Sequence, residues 1–124
     1  MDFAALAERF IGFYNCKDFE RLAAMVSPGL EFAHFNRNFA FSSRAELLQV
    51  LRQFADALAP DRQFQPPERV TVAGNIVVRE AFWTATAQVD LPGFASAGGR
   101  IRFRFCSVMR FDDTGMLVEW RDYG

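Results

Sequence analysis

Arg100-Ile101-Arg102-Phe103-Arg104-Phe105-Cys106-Ser107-Val108-Met109-Arg110-Phe111, then the turn Asp112-Asp113-Thr114-Gly115, then Met116-Leu117-Val118-Glu119-Trp120-Arg121-Asp122-Tyr123: this stretch decides how the chain folds. Arg100, Arg102, Arg104 and Arg110 fall on one face of the first segment, and Ile101, Phe103, Phe105, Ser107, Met109 and Phe111 on the other. Side chains of a strand point alternately to opposite faces, so this pattern predicts a strand with one apolar face. In the second segment the same period puts Trp120 and Asp122 together and Arg121 opposite them. If their common face is the apolar one, a carboxylate stands in the wall of an aromatic-lined concavity. Asp122 is therefore a candidate functional group.

Working outward, Ile76 to Leu91 is a long β-branched and aromatic run entered through the hairpin turn Ala73-Gly74-Asn75. The loop Pro92 to Gly99 joins it to the arginine strand. Before it, Pro66 and Pro67 interrupt a strand made of Phe64 and Val70–Val72. The first half reads as helical. Phe3, Leu6, Ala7, Phe10, Ile11 and Tyr14 recur at helical spacing to about Asn15. Asp18 caps a short helix from Phe19 to Val26, stopped by Ser27-Pro28-Gly29. Leu30 to His34 and Phe39 to Phe41 are short extended pieces around the turn Asn36-Arg37-Asn38. Ser43 and Glu46 form a capping box for a third helix, with the stripe Leu47, Leu48, Leu51, Phe54, Ala55, Leu58, ended by Pro60. Helices first and strands last predict an α+β domain spanning 1–124, a strongly bent sheet wrapped around three helices.

Composition limits the function classes. The chain carries 15 Phe among 124 residues, and aromatics build walls that accept flat apolar ligands as readily as they fill cores. A net charge of −1 does not match the basic footprint of a nucleic-acid binder, and the row Arg100, Arg102, Arg104 and Arg110 is the one feature that could serve such a role. Glu80 and Glu119 are placed to neutralise the arginine row across neighbouring strands. Cys16 and Cys106 make neither a disulfide framework nor a metal-ligand pattern. No apolar run approaches the roughly 20 residues that span a bilayer, and the N-terminus reads as a helix rather than a signal peptide. These features predict a cytoplasmic protein without membrane or nucleic-acid partners.

The helix order, the strand pair Ile76–Leu91 and Arg100–Phe111, and the ending Gly115 to Tyr123 resemble the nuclear-transport-factor-2-like superfamily. That superfamily includes ketosteroid isomerases, limonene epoxide hydrolases and SnoaL-type polyketide cyclases, and the resemblance implies a cone-shaped α+β fold. It also implies roles, residue by residue. Asp122 stands where the epoxide hydrolases place a water-activating Asp in a Trp-Arg-Asp-Tyr run. Their Arg-x-Asp partner is replaced by Ala81-Phe82-Trp83, which removes the electrophile for an epoxide oxygen. The base of ketosteroid isomerases corresponds to His34, and their Tyr and protonated Asp correspond to Phe10 and Ser107, with Tyr14 one turn along. Neither of those two mechanisms fits. What the resemblance leaves is a SnoaL-like His34–Asp122 pair for proton transfer beside a carbonyl, needing no metal or other cofactor.

The substrate-binding set expected on this reading is Tyr14, Phe32, Trp83, Phe103, Phe105, Ser107 and Trp120, around a hydrophobic small-molecule ligand. The resemblance further implies a homodimer through the outer sheet face, where Phe82, Thr84, Thr86, Cys106 and Val108 align. Blander roles are open for the same residues. A lone histidine suits a backbone contact, Asp122 suits a salt bridge to Arg79, and the whole domain suits a non-catalytic ligand-binding or dimerisation module.

Overall fold

In the computed structural model, which describes residues 1–124, three helices precede most of the sheet: α1 (Phe3–Asn15), α2 (Phe19–Ala24) and α3 (Arg44–Gln53). The strands are β1 (Val26–His34), β2 (Phe39–Phe41), β3 (Gln63–Phe64), β4 (Arg69–Ala73), β5 (Ile76–Thr86), β6 (Arg100–Phe111) and β7 (Leu117–Tyr123). Each helix begins where a side chain accepts from an otherwise orphaned backbone N–H: Asp2 from Ala5, Asp18 from Arg21, Ser43 from Glu46. A π-helical turn, Phe54–Leu58, prolongs α3 to the proline at 60.

The strands run in the order β2-β1-β7-β6-β5-β3, with β4 also paired to β5. β1 and β7 are parallel, and every other pairing is antiparallel. The spine is β5 on β6, in register from Ile76↔Arg110 to Thr86↔Arg100. The alternation holds along β6: Ile101, Phe105, Ser107, Met109 and Phe111 are buried, and Arg100, Arg102 and Arg104 are exposed. The sheet curls around α1, whose Ala7, Phe10, Ile11 and Tyr14 are buried in one core with Met109, Phe111, Leu117 and Trp120.

Three boundaries differ from the sequence reading. Ser27-Pro28-Gly29 does not stop a helix but lies inside β1, and α2 ends at Ala24. The β1–β7 register slips between Val26 and Glu31, and such an irregularity tolerates a residue without an N–H. The segment around Pro66 and Pro67 is not one strand with an irregular start but a gap between β3 and β4, which pair with different stretches of β5. β5 ends at Thr86 rather than Leu91, because Asp61 accepts from both the backbone N–H and the hydroxyl of Thr86 and Leu91 folds back onto Ala95.

On the outer face, Glu80 turns to Arg69 instead of the arginine row. Three of the four arginines of that row are paired, Arg100 with Asp61, Arg104 with Glu68 and Arg110 with Glu119. The guanidinium groups of Arg102 and Arg104 lie 3.5 and 4.8 Å from the centre of the Phe82 ring. Thr84 is buried, and Phe82, Thr86, Cys106 and Val108 are half-buried. No helix is long and apolar enough to cross a membrane.

The β6–β7 turn is specified tightly. Asp112 accepts from the backbone N–H groups of Thr114 and Met116, and Gly115 sits at φ 87°. A Cβ there would lie 3.1 Å from Met1 Sδ and 3.3 Å from Leu6 Cδ1. Gly115→Ala should therefore cost about 1–2 kcal/mol of stability, read as a lower urea midpoint at unchanged slope. An unmoved midpoint would mean the turn does not demand a left-handed residue.

Candidate functional site

One transverse row of the sheet carries the site. Register places Arg79 of β5 beside Ser107 of β6, Ser107 beside Asp122 of β7, and Asp122 beside His34 of β1. Neighbours in register share a face. All four side chains are buried, on the side that faces the helices. The adjoining row, Phe32 beside Trp120 beside Met109, supplies aromatic wall. Thus a strand from the first third of the chain and the last strand together set a carboxyl and an imidazole on one surface.

That surface borders a cavity of about 560 Å³. Tyr14, Phe64 and Trp120 line it from the core, and Phe32, Phe54, Phe94, Trp83 and Phe105 wall it. The Trp83 and Phe105 rings lie nearly parallel, at 4° with centroids 5.7 Å apart. Asn36, Asn38, Phe39, Pro92 and Gly93 are exposed and form the rim.

Three groups inside have unusual proton affinities. Burial pushes the Asp122 carboxyl up to about 7, against the Ser107 hydroxyl and the Trp120 indole N–H, which favour its anion. The indole N–H donates to Asp122 Oδ1 at 2.6 Å. His34 is pushed down to about 4 by burial and by the charge of Arg37, while its contact with the Gly124 backbone works the other way. Its Nε2 is buried without a partner. The Tyr14 phenol is raised to about 12 by burial, opposed by the Arg62 cation and by Trp83, with the Asp122 charge adding to the rise. Trp83 Nε1 donates to Tyr14 Oη at 2.8 Å, which leaves the phenol's own proton free to donate. Arg62 holds this residue in place, donating to the Tyr14 carbonyl at 2.6 Å with its guanidinium 4.2 Å from the ring centre.

Of the residues expected from sequence, Tyr14, Phe32, His34, Trp83, Phe105, Trp120 and Asp122 line the cavity. Phe103 and Ser107 do not. Phe103 is covered by Phe94, with ring centroids 5.7 Å apart, and by the Arg37 guanidinium at 4.7 Å. Ser107 lies fully inside the sheet next to Asp122 and acts on the carboxyl instead. Arg79 pairs with Glu8, so it is not the partner of Asp122. No hydrogen bond joins His34 to Asp122: each is held by other groups. Sequence reasoning missed Arg37, Phe54, Phe64 and Phe94. The triplet Asn36-Arg37-Asn38 carried only a turn signal, and Phe94 sits in a loop whose path no periodicity describes.

Residues 7–120 match the family model described as the SnoaL-like domain. Among solved structures, a candidate SnoaL-like polyketide cyclase from Shewanella denitrificans is 17% identical, with a TM-score of 0.80 over 98% of this chain and 88% of that one. AclR, a candidate hydroxylase from Streptomyces galilaeus, is 23% identical, with a TM-score of 0.76 over 98% and 77%. An LEH-like epoxide hydrolase of M. tuberculosis is 20% identical, with a TM-score of 0.75 over 96% and 79%. A sequence search of curated proteins found no match. These similarities establish the nuclear-transport-factor-2-like α+β fold, with its mixed, curled sheet of seven strands around three helices.

Two measurements follow from the electrostatics. The folded Asp122 takes its proton near pH 7 and an unperturbed carboxyl near 3.8. This proton linkage stabilises the fold fully below pH 3.8 and is lost as pH rises through 7. Asp122→Asn should match the wild type near pH 4 and exceed it above pH 7, by up to about 4 kcal/mol in urea unfolding. A gap of the same size at both pH values would refute the assignment. His34 should titrate near 4 by NMR, in a range where Asp122 is already neutral. Asp122→Asn should leave that midpoint in place, and Arg37→Met should raise it. The reverse pattern would mean that the pair is coupled directly.

Proposed function

The chain belongs to the SnoaL-like domain family, and within it we propose a small-molecule-binding protein that moves a proton at a carbon next to a carbonyl. The observation that carries this reading is Asp122, a buried carboxyl raised to about 7 inside an aromatic cavity. A general base is most effective when its pKa lies near the working pH, and burial sets it there. The sequence alone offered His34 as base or Asp122. The low proton affinity of His34 favours Asp122 for that role.

The step is balanced without a further reagent. The Asp122 carboxylate takes the proton from the α-carbon, the C–H pair becomes the C=C bond of an enolate, and the carbonyl π pair moves to oxygen. Tyr14 donates its free proton as a hydrogen bond to that oxygen, strengthened by the Trp83 N–H behind it. His34 stays neutral, and its Nε2 accepts from a hydroxyl of the ligand. Aldol closure, isomerisation and dehydration all begin from such an enolate, so the site supports an isomerase, cyclase or lyase on a flat, polyketide-like or terpenoid-like substrate. The stacked Trp83 and Phe105 rings suit a planar body. Self-association through the half-buried outer face belongs to the same proposal and leaves the cavity of each copy complete.

The test uses 2-tetralone, a flat ketone with acidic α-protons, incubated with the protein in D2O and followed by NMR. Exchange should be catalysed and should rise with pH to a plateau above about 7, since the base works only when ionised. Asp122→Asn should slow it at least about 10²-fold. Tyr14→Phe should slow it by about 10²-fold with the pH profile unchanged. Binding of the ketone with no exchange would leave a binding module instead, and exchange undiminished in Asp122→Asn would move the role of base to another group.

A further inference from the structure

The cavity mouth holds a cation without a counterion. Arg37 ends the single 3-10 turn Phe35–Arg37 between β1 and β2, and the left-handed Asn38, at φ 52°, turns the chain into β2. Its guanidinium lies 4.6 Å from the ring centre of Phe94 and 4.7 Å from that of Phe103. It lines the cavity, makes no ion pair and no side-chain hydrogen bond, and its Nε is buried without a partner. Partial burial already lowers its proton affinity, the expected response of a cation that lacks compensation.

From this placement we infer that the ligand carries a carboxylate that Arg37 binds at the cavity mouth. The Phe94 and Phe103 rings stabilise the cation but give it no hydrogen bond, so its terminal N–H groups are left without an acceptor, and a guanidinium offers a carboxylate two parallel N–H donors. No acidic residue competes for it. The rim residues are Asn36, Asn38, Phe39, Pro92 and Gly93, and the one carboxyl in the cavity, Asp122, is held by Trp120. The other unpaired buried arginine, Arg62, is different: it is 2% exposed, donates to the Tyr14 carbonyl and does not line the cavity. It therefore has no route to a ligand.

The polar groups then form a file. Arg37 acts on His34, His34 is the register neighbour of Asp122, and the Asp122 charge reaches Tyr14. A ligand with its acid at the mouth would direct its opposite end, which carries the reacting carbonyl, toward Asp122 and Tyr14. The substrate class becomes a flat aromatic or polycyclic carboxylic acid whose reacting carbonyl is remote from the acid. This deepens the reading of the cavity as a ligand site and rests on it, but it does not depend on which residue moves a proton.

The test compares anthracene-9-carboxylate with its neutral analogue anthracene-9-methanol, by fluorescence titration on the wild type and on Arg37→Met and Arg37→Lys. The His34 imidazole signal reports in each case whether the probe enters the cavity. The carboxylate should bind the wild type at least about tenfold more tightly than the alcohol. Arg37→Met should level the two without weakening the alcohol, and Arg37→Lys should keep part of the preference. Equal affinities in the wild type, or a preference that survives in Arg37→Met, would overturn the inference and leave the cavity reading intact. If neither probe binds or moves the His34 signal, both fall together.

Discussion

Everything at the candidate site depends on the register of one parallel strand pair. β1 and β7 are separated by most of the chain, yet His34 meets Asp122 and Phe32 meets Trp120 as neighbours. In a sheet a slip of one residue turns every side chain to the opposite face. Such a slip in β7 would carry Trp120 and Asp122 to the outside and bring Arg121 into the core. The register is held by burial on both sides, since Val26, Leu30, Leu117 and Trp120 are all fully or nearly fully buried. The irregularity between Val26 and Glu31 sits upstream of the site, so it absorbs the proline without disturbing the row that matters.

The row of Arg79, Ser107, Asp122 and His34 would be expensive in a core if its members were left bare. Ser107 bonds Asp122 within the row, and the other three are given partners from different directions. Glu8 on α1 reaches Arg79, the Trp120 indole reaches Asp122, and the Gly124 backbone reaches His34. Local partnering leaves no hydrogen bond between the two neighbouring titratable groups. Burial drives both toward the neutral form, which raises the acid and lowers the base. Between about pH 4 and 6.5 the two act on stability with opposite sign, His34 favouring the fold as pH rises and Asp122 disfavouring it.

The fold was largely legible because its main signals are periodic. The alternation through β6 and the shared face of Trp120 and Asp122 follow from a period of two, α1 from helical spacing, and α2 and α3 from their capping residues. What the sequence did not reveal has a common physical cause: it depends on pairing rather than on period. Pro28 reads as a stop until β7 is known to lie alongside β1 with a slipped register. Thr86 looks like the middle of a strand until Asp61 binds its backbone. At the site, the residues carried by α1 and by β1, β5, β6 and β7 were readable, whereas Phe64 stands on a strand of two residues and Arg37 and Phe94 come from connections whose geometry only tertiary contacts define. Phe103 shows the converse: its face was read correctly, but a loop covers it.

Those two connections meet through a single side chain. Arg37 lies against both Phe94, from the loop after β5, and Phe103, from β6, and its Cδ is 3.9 Å from the position a Cβ would take at Gly93. Gly93, at φ 82°, lets the loop turn over the guanidinium at that distance. One residue therefore ties the rim together and keeps an unpaired charge at the opening. A hydrophobic side chain would perform the first task with no desolvation penalty, so tying alone does not account for an arginine here. A charge retained without a counterion at the mouth of an aromatic-walled cavity is accounted for by what passes through it. The same ring contacts that close the wall hold the guanidinium where an incoming carboxylate is met.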